Sequence, residues 1–458
     1  MATGVYPAAR GARDRMSGAV SRFMKQRASA VGLLVGAGVV LNAACWELAR
    51  VENLVVAPRV FLALFTVAFV AYAAGATASA RLSGPGAVGV VLAVSITCRL
   101  ILLPTAPSLS TDAYRYVWDA RVASAGVDPY AYPPTAPELA GLRDADIYPR
   151  LNHKTWRTVY PPVAEAVFRA VYRIAPGSVL AMKVALGLAE LVTLAGLALW
   201  LRALGLPLGR LTIYAWNPLV LVEIWGSGHL DAIVLLSIVA AALASARGRD
   251  GLAAVLLGLG TLVKLYPAVL LPLLPGRRRP GVLAMFATVI VVGALAPGGP
   301  GRWPIGPIGR YVADEYFNPG LVRSLVNEPV LALAATVAWV LVLAALKGAP
   351  SMATQAVPMV AGVIVLAPNV FPWYAVWLVP FLTIVPSVPW ITFTGTVVFS
   401  YAFFLSEPWA IPWWARLVEV APLAVGAVVM LRRATPGRKR LFRVLHRLPG
   451  AHSTTDLR

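Results

Sequence analysis

Five clusters of polar and aromatic residues interrupt an otherwise apolar chain. Each could carry chemistry. The first is Ser110-Thr111-Asp112-Ala113-Tyr114-Arg115-Tyr116-Val117-Trp118-Asp119-Ala120-Arg121. Asp112 directly follows an apolar run and opens a predicted helix. A carboxylate there can satisfy free backbone N–H groups of the first turn. It can equally act as a general base at a lipid–water boundary. The second cluster is Asn152-His153 with Val159-Tyr160-Pro161-Pro162, where the diproline fixes how the chain leaves its loop. The third is Trp216-Asn217-Pro218, Glu223 and Gly226-Ser227-Gly228-His229-Leu230-Asp231. His229 and Asp231 read either as turn residues with local hydrogen bonds or as ligands for polar oxygens; two such groups alone do not make a zinc site. The fourth is Lys264-Leu265-Tyr266-Pro267, where a lysine either snorkels or meets an anion beside freed backbone N–H groups. The fifth is Pro368-Asn369-Val370-Phe371-Pro372-Trp373-Tyr374, an interfacial aromatic belt or a platform for a sugar ring.

The elements that must position these clusters are apolar runs: 30–49, 59–80, 86–104, 179–201, 211–227, 230–246, 281–297, 329–346, 353–368, 371–387, 389–405 and 413–431. Several fall short of the ~20 residues a straight span needs. The run 251–275 differs, because Lys264-Leu265-Tyr266-Pro267 breaks it while arginines flank both ends (Arg247, Arg249; Arg277, Arg278, Arg279). It is expected to enter and return as two half-helices, which is tolerated at membrane depth only where protein or a water-filled cavity surrounds the break. From Thr111 to Ala125, Tyr114, Val117, Trp118, Val122 and Ala125 fall at helical spacing, with Asp112, Arg115 and Asp119 on another face and Gly126 as a stop. This predicts an amphipathic helix lying in the interface plane.

Composition sets the solvent. Of 458 residues, 59% are hydrophobic and 13% charged, against roughly 25% charged in soluble domains. A soluble globular protein is excluded. The reading is an all-α integral membrane protein, a bundle of about 12–14 transmembrane helices with amphipathic helices in an outer loop. The net charge of +20 gathers at both ends of the chain and in alternate loops. Basic flanks mark the cytoplasmic side. One assignment satisfies nearly all of them. Both termini are inside (tails 1–29 and 432–458), and loops 105–178 and 298–328 of the 30–431 membrane domain are outside, with Lys347 inside. The excess charge therefore reports topology and contact with anionic membrane lipids. No basic soluble domain exists to carry nucleic-acid binding. Cys45 and Cys98 lie inside apolar runs and read as buried thiols, and no cleavable signal peptide is evident.

In this order the clusters resemble the GT-C glycosyltransferases, most closely the family-87 type mannosyltransferases. The resemblance rests on the stretch from Asp112 to Tyr130, Tyr160-Pro161-Pro162, Asn217-Pro218 through His229 and Asp231, Lys264 to Pro267, and Pro372-Trp373-Tyr374. Many members place the catalytic aspartate after the first span; here three spans precede Asp112. The resemblance implies a multi-span bundle, inversion at the sugar, and a polyprenyl-phosphate sugar donor that carries mannose. The acceptor would be a cell-envelope glycolipid or polysaccharide on the outer face of the plasma membrane. Asp112 is the expected base. Arg115, Tyr116, Asp119, Arg121, Tyr160, His229, Asp231, Lys264, Tyr266, Arg310, Arg323, Trp373 and Tyr374 are the candidate substrate contacts. Lys264, Arg310 and Arg323 would meet the phosphate, and His229 and Asp231 sugar or phosphate oxygens. No cofactor or metal is expected, since no nucleotide-binding domain is present. The competing reading is a flippase or transporter of a lipid-linked sugar, which would also use broken helices and ionisable residues at depth.

Overall fold

The computed structural model describes residues 7–82, 84–295, 305–345 and 351–434. Lys347 and the basic segment beyond residue 434 lie outside the described residues. The molecule is all-helical among the described residues, a multi-span membrane bundle. Six helices are long and apolar enough to cross a membrane: Met24–Arg50, Pro58–Ser79, Pro85–Leu102, Val179–Ala203, Val388–Leu405 and Trp413–Arg432. Shorter apolar helices accompany them, including Asp231–Ala246, Pro280–Leu295, Pro329–Ala345 and Met352–Leu366.

The first three spans are α1 (Pro7–Arg50), α2 (Pro58–Ser79) and α3 (Pro85–Leu102). Proline opens α2 and α3, where the missing N–H costs nothing. Close packing depends on small residues, as is usual between membrane helices. Trp216 lies against α2 at Gly75, where an added Cβ would stand 2.3 Å from its ring. The indole also donates to the Val91 carbonyl of α3 at 2.8 Å.

The long loop after α3 carries α4 (Asp112–Ser124) and α5 (Pro162–Ile174) before α6 (Val179–Ala203). The bounds of α4 match the predicted helix, and Gly126 leaves it at a φ of 82°. Its setting differs from the expectation of an interfacial helix with one wet face. Every residue from Ala113 to Ala120 is buried, because segment 126–162 folds over its polar side. The helix that fits the amphipathic description is α5, with Ala164, Glu165 and Phe168 buried and Ile174 exposed.

The run 211–227, expected as one span, is broken. Pro218 has no N–H to donate, and Asn217 turns its side chain to cap Leu219 N at 3.0 Å. The chain then continues as Pro218–Val220 and a π-helical turn, Leu221–Gly226. The run 251–275 does enter and return. A helix, Asp250–Thr261, stops short of Lys264, and a 3₁₀ segment, Tyr266–Leu273, leads back. Its two ends are tied where Gly276 N donates to Asp250 Oδ2 at 2.8 Å. Two further loops close the same end of the bundle as α4: Val370 N donates to Asn318 O at 2.7 Å, and Pro319 bridges to Asn369.

Candidate active site

Asp112 is the first residue of α4, but the N-cap position belongs to Thr111. The aspartate side chain is turned to other segments. Its Oδ1 accepts from Asn152 Nδ2 at 2.6 Å, and its Oδ2 lies 3.7 Å from His229 Nδ1. The carboxylate keeps 20% of its surface exposed, so a substrate hydroxyl can reach it.

His229 is buried. Its ring stacks on Trp373 with centroids 4.2 Å apart. Its other nitrogen, Nε2, lies 3.3 Å from Glu223 Oε2. The approach is close but not aligned, since neither atom has a hydrogen-bond partner among the described residues. Glu223 Oε1 accepts from the Tyr401 hydroxyl at 3.0 Å. Glu223 sits on the π turn, a distortion that often marks functional positions. The turn reaches α4 through Gly228. Its φ of 74° suits glycine, and a Cβ there would stand 2.9 Å from Lys183 Cγ and 3.4 Å from Ala113 Cβ.

A second group forms around the re-entrant break. Lys264 Nζ donates to both oxygens of Asp231 at 3.0 Å. Asp231 is fully buried and also accepts from Trp377 Nε1 at 2.5 Å. The ammonium lies 4.8 Å from the Tyr374 ring centre and 5.4 Å from that of Trp377, distances suited to cation–π attraction. Tyr266 stacks on Trp377 at 4.1 Å. The Tyr374 hydroxyl meets that of Tyr311 at 3.1 Å. Lys264 retains 24% side-chain exposure, so it has a free side for an anion. Both groups act on Tyr116 between them: burial, then the charges of Asp112 and Asp231, push its phenol well above the ordinary range.

The remaining candidate contacts are engaged within the protein. Arg115 binds Asp119 at 2.8 Å and the Trp156 carbonyl at 3.0 Å. Arg121 pairs with Asp144 at 2.5 Å and donates to the Leu142 carbonyl. The Tyr116 hydroxyl accepts from Leu230 N, and its ring stacks on Phe168. Tyr160 packs edge-on against Tyr116, and its carbonyl accepts from Tyr130. Arg323, expected at a phosphate, is buried and donates to the carbonyls of Val312, Ala313 and Glu315, the chain end of helix Ile305–Asp314. Arg310 is exposed at the rim, paired with Asp314 and lying over Trp156. His229, expected to meet sugar or phosphate oxygens, instead has each ring nitrogen facing a carboxylate.

Sequence reasoning named Asn152 and Glu223 within clusters without giving them a contact, and missed Tyr311, Trp377 and Tyr401. Glu223 carried the usable signal, since a carboxylate inside an apolar run is costly and marks function or pairing.

The fold and site define a membrane-embedded enzyme class, with a reachable carboxylate and a partly neutralised cation facing one end of an apolar bundle. A family model described as alpha-(1->6)-mannopyranosyltransferase, N-terminal domain, matches residues 15–275. The chain belongs to that family and is a glycosyltransferase of its mannosyl-transferring kind. No curated protein and no solved structure matches it. The matched stretch contains Asp112, Asn152, Glu223, His229, Asp231 and Lys264; Tyr311, Trp373, Tyr374, Trp377 and Tyr401 complete the site from beyond it.

Proposed function

We propose that this chain transfers mannose from a polyprenyl-phosphate donor to a hydroxyl of a cell-envelope glycolipid or polysaccharide, with inversion, at the outer face of the cell membrane. The observation that carries this is the Asp112 carboxylate, aimed away from its own helix and open to solvent beside the Lys264–Asp231 pair. Asp112 removes the proton from the acceptor hydroxyl. The oxygen bonds to the anomeric carbon as the carbon–phosphate oxygen bond breaks on the opposite face. Base assistance of this kind supplies about 10²–10⁴ in rate. Lys264 meets the charge growing on the polyprenyl phosphate, and Asp231 and the aromatic rings hold it in place beforehand. The family description specifies an α product. Inversion then requires a β-configured donor phosphate. A polyprenyl tail stays in lipid while its sugar sits at headgroup level, which suits a site at the end of an apolar bundle.

The test incubates the purified protein, in lipid, with polyprenyl-phosphate mannose and extracted cell lipids. The expected result is a glycolipid one hexose heavier by mass spectrometry. Transfer from a nucleotide-linked mannose, with none from the polyprenyl donor, would overturn the proposal.

A further inference from the structure

We infer that Glu223 is a positioning residue that acts on Asp112 through His229, in a carboxylate–imidazole–carboxylate chain that draws the proton out of the site. The inference rests on the reading of Asp112 as the base.

Three observations support it. Each imidazole nitrogen faces a different carboxylate, Nδ1 toward Asp112 at 3.7 Å and Nε2 toward Glu223 at 3.3 Å. The ring has little freedom to turn away, because Trp373 stacks on it and His229 N donates to the Glu223 carbonyl at 3.1 Å. The chain also has a direction: its Asp112 end is partly open, while Glu223 is fully buried in an apolar run. A buried carboxylate with one tyrosine for company is costly. The charged and titratable groups found against it are His229 from its own turn and Tyr401 from the segment Val397–Leu405. Both separations to the imidazole exceed an ordinary hydrogen bond, and such contacts commonly tighten when substrate fills a site.

The proton balance is simple. After attack, Asp112 carries the hydroxyl proton. Asp112 passes it to His229 Nδ1 while the Nε2 proton moves to Glu223 Oε2. Asp112 becomes a carboxylate again, Glu223 becomes a carboxylic acid, and His229 has exchanged tautomers. The proton leaves to solvent when the reverse shift follows product departure. The chain as a whole neither gains nor loses electrons.

Two substitutions at Glu223 separate this role from a merely structural one. Glu223→Gln keeps the shape and can still accept from Tyr401, but takes up no proton. Glu223→Asp keeps the carboxylate yet is one methylene short. The chain predicts that Gln lowers kcat by about 10- to 100-fold, a portion of what general base catalysis typically supplies. KM for the polyprenyl donor and the thermal midpoint should stay near wild type, and Asp should be more active than Gln. A structural role predicts the reverse order, Gln above Asp. That order, or a Gln variant within twofold of wild-type kcat, overturns the inference. Asp112→Asn is measured alongside. If it remains active, the base reading has failed; if it is inactive while Glu223→Gln is unimpaired, only the present inference has.

Discussion

Two buried charge clusters in this bundle follow different rules. Between α3 and α6, Arg99 and Glu190 form a two-pronged pair at 2.9 and 2.6 Å, and neither side chain is more than 1% exposed. Arg99 spends its remaining nitrogen on Ser95 and the Ala215 carbonyl, and Trp225 donates to Glu190 at 3.0 Å. At the loop end, Lys264 and Asp231 also meet at 3.0 Å, but Lys264 and nearby Asp112 each keep an open side. A pair whose every donor is used holds helices together and has no capacity left for a ligand. A pair with an open side is held in place while still able to take a new partner. Trp225 links the two, because it stands on the π turn between Glu223 and His229.

This contrast can be broken by substitution. Asp112→Asn should reduce transfer by about 10²–10⁴-fold while the protein stays folded and binds donor. Asparagine serves nearly as well as aspartate near a helix N-terminus, so a capping role would survive the change. Retained transfer would move the base elsewhere, with Asp231 the next carboxylate to test. Arg99→Met should instead act on stability, since it strands a buried Glu190 charge at a cost of about 3–5 kcal/mol. Adding Glu190→Leu should recover much of the loss. Thermal unfolding in detergent reads both, with transfer per folded molecule near wild type. A selective loss of transfer with full stability would place Arg99 in the chemistry. Lys264→Met should raise KM for the polyprenyl donor and cut kcat, together about 10²-fold, with acceptor KM little changed. Kinetics indifferent to the change would leave Lys264 as a structural partner of Asp231.

The parts of this arrangement legible in the sequence are local ones. The limits of α4, the break at Lys264 and the order of the five clusters follow from periodicity, proline placement and polar residues in apolar surroundings. The Arg99–Glu190 pair was invisible because each residue reads as a stray charge in an ordinary span, and 91 positions separate them. Glu223 and Tyr401 are 178 positions apart. Residue type also says nothing of where donors point. Arg323 has the chemistry of a phosphate ligand, yet it closes the carbonyl end of a short helix. Arg115 and Arg121 likewise anchor the folded loop over α4. The wet face assigned to α4 failed for a related reason: a loop long enough to fold back can supply the partners that water would otherwise provide.

The smallest expected effect concerns that covered face. Asp119 accepts from Arg115, and Glu165 accepts from the Thr158 hydroxyl at 2.7 Å. The second oxygen of each carboxyl has no donor among the described residues. Burial, and after it the neighbouring Asp119 charge, raises the Glu165 carboxyl well above the usual range. An acid raised on folding holds its proton more tightly in the native state. Its contribution to stability is therefore complete below the unfolded value near 4.5 and fades as pH rises through the folded value. Thermal midpoints should fall as pH climbs from that point. Asp119→Asn removes the second cause and leaves burial, so the decline should begin at lower pH, while Glu165→Gln should remove the Glu165 contribution altogether. Transfer should change little in Asp119→Asn, because the amide oxygen can still accept from Arg115, which holds the loop carrying Asn152. If Asp119→Asn abolished transfer and left the pH dependence of the midpoint untouched, Asp119 would belong with the open cluster and not with the closed one.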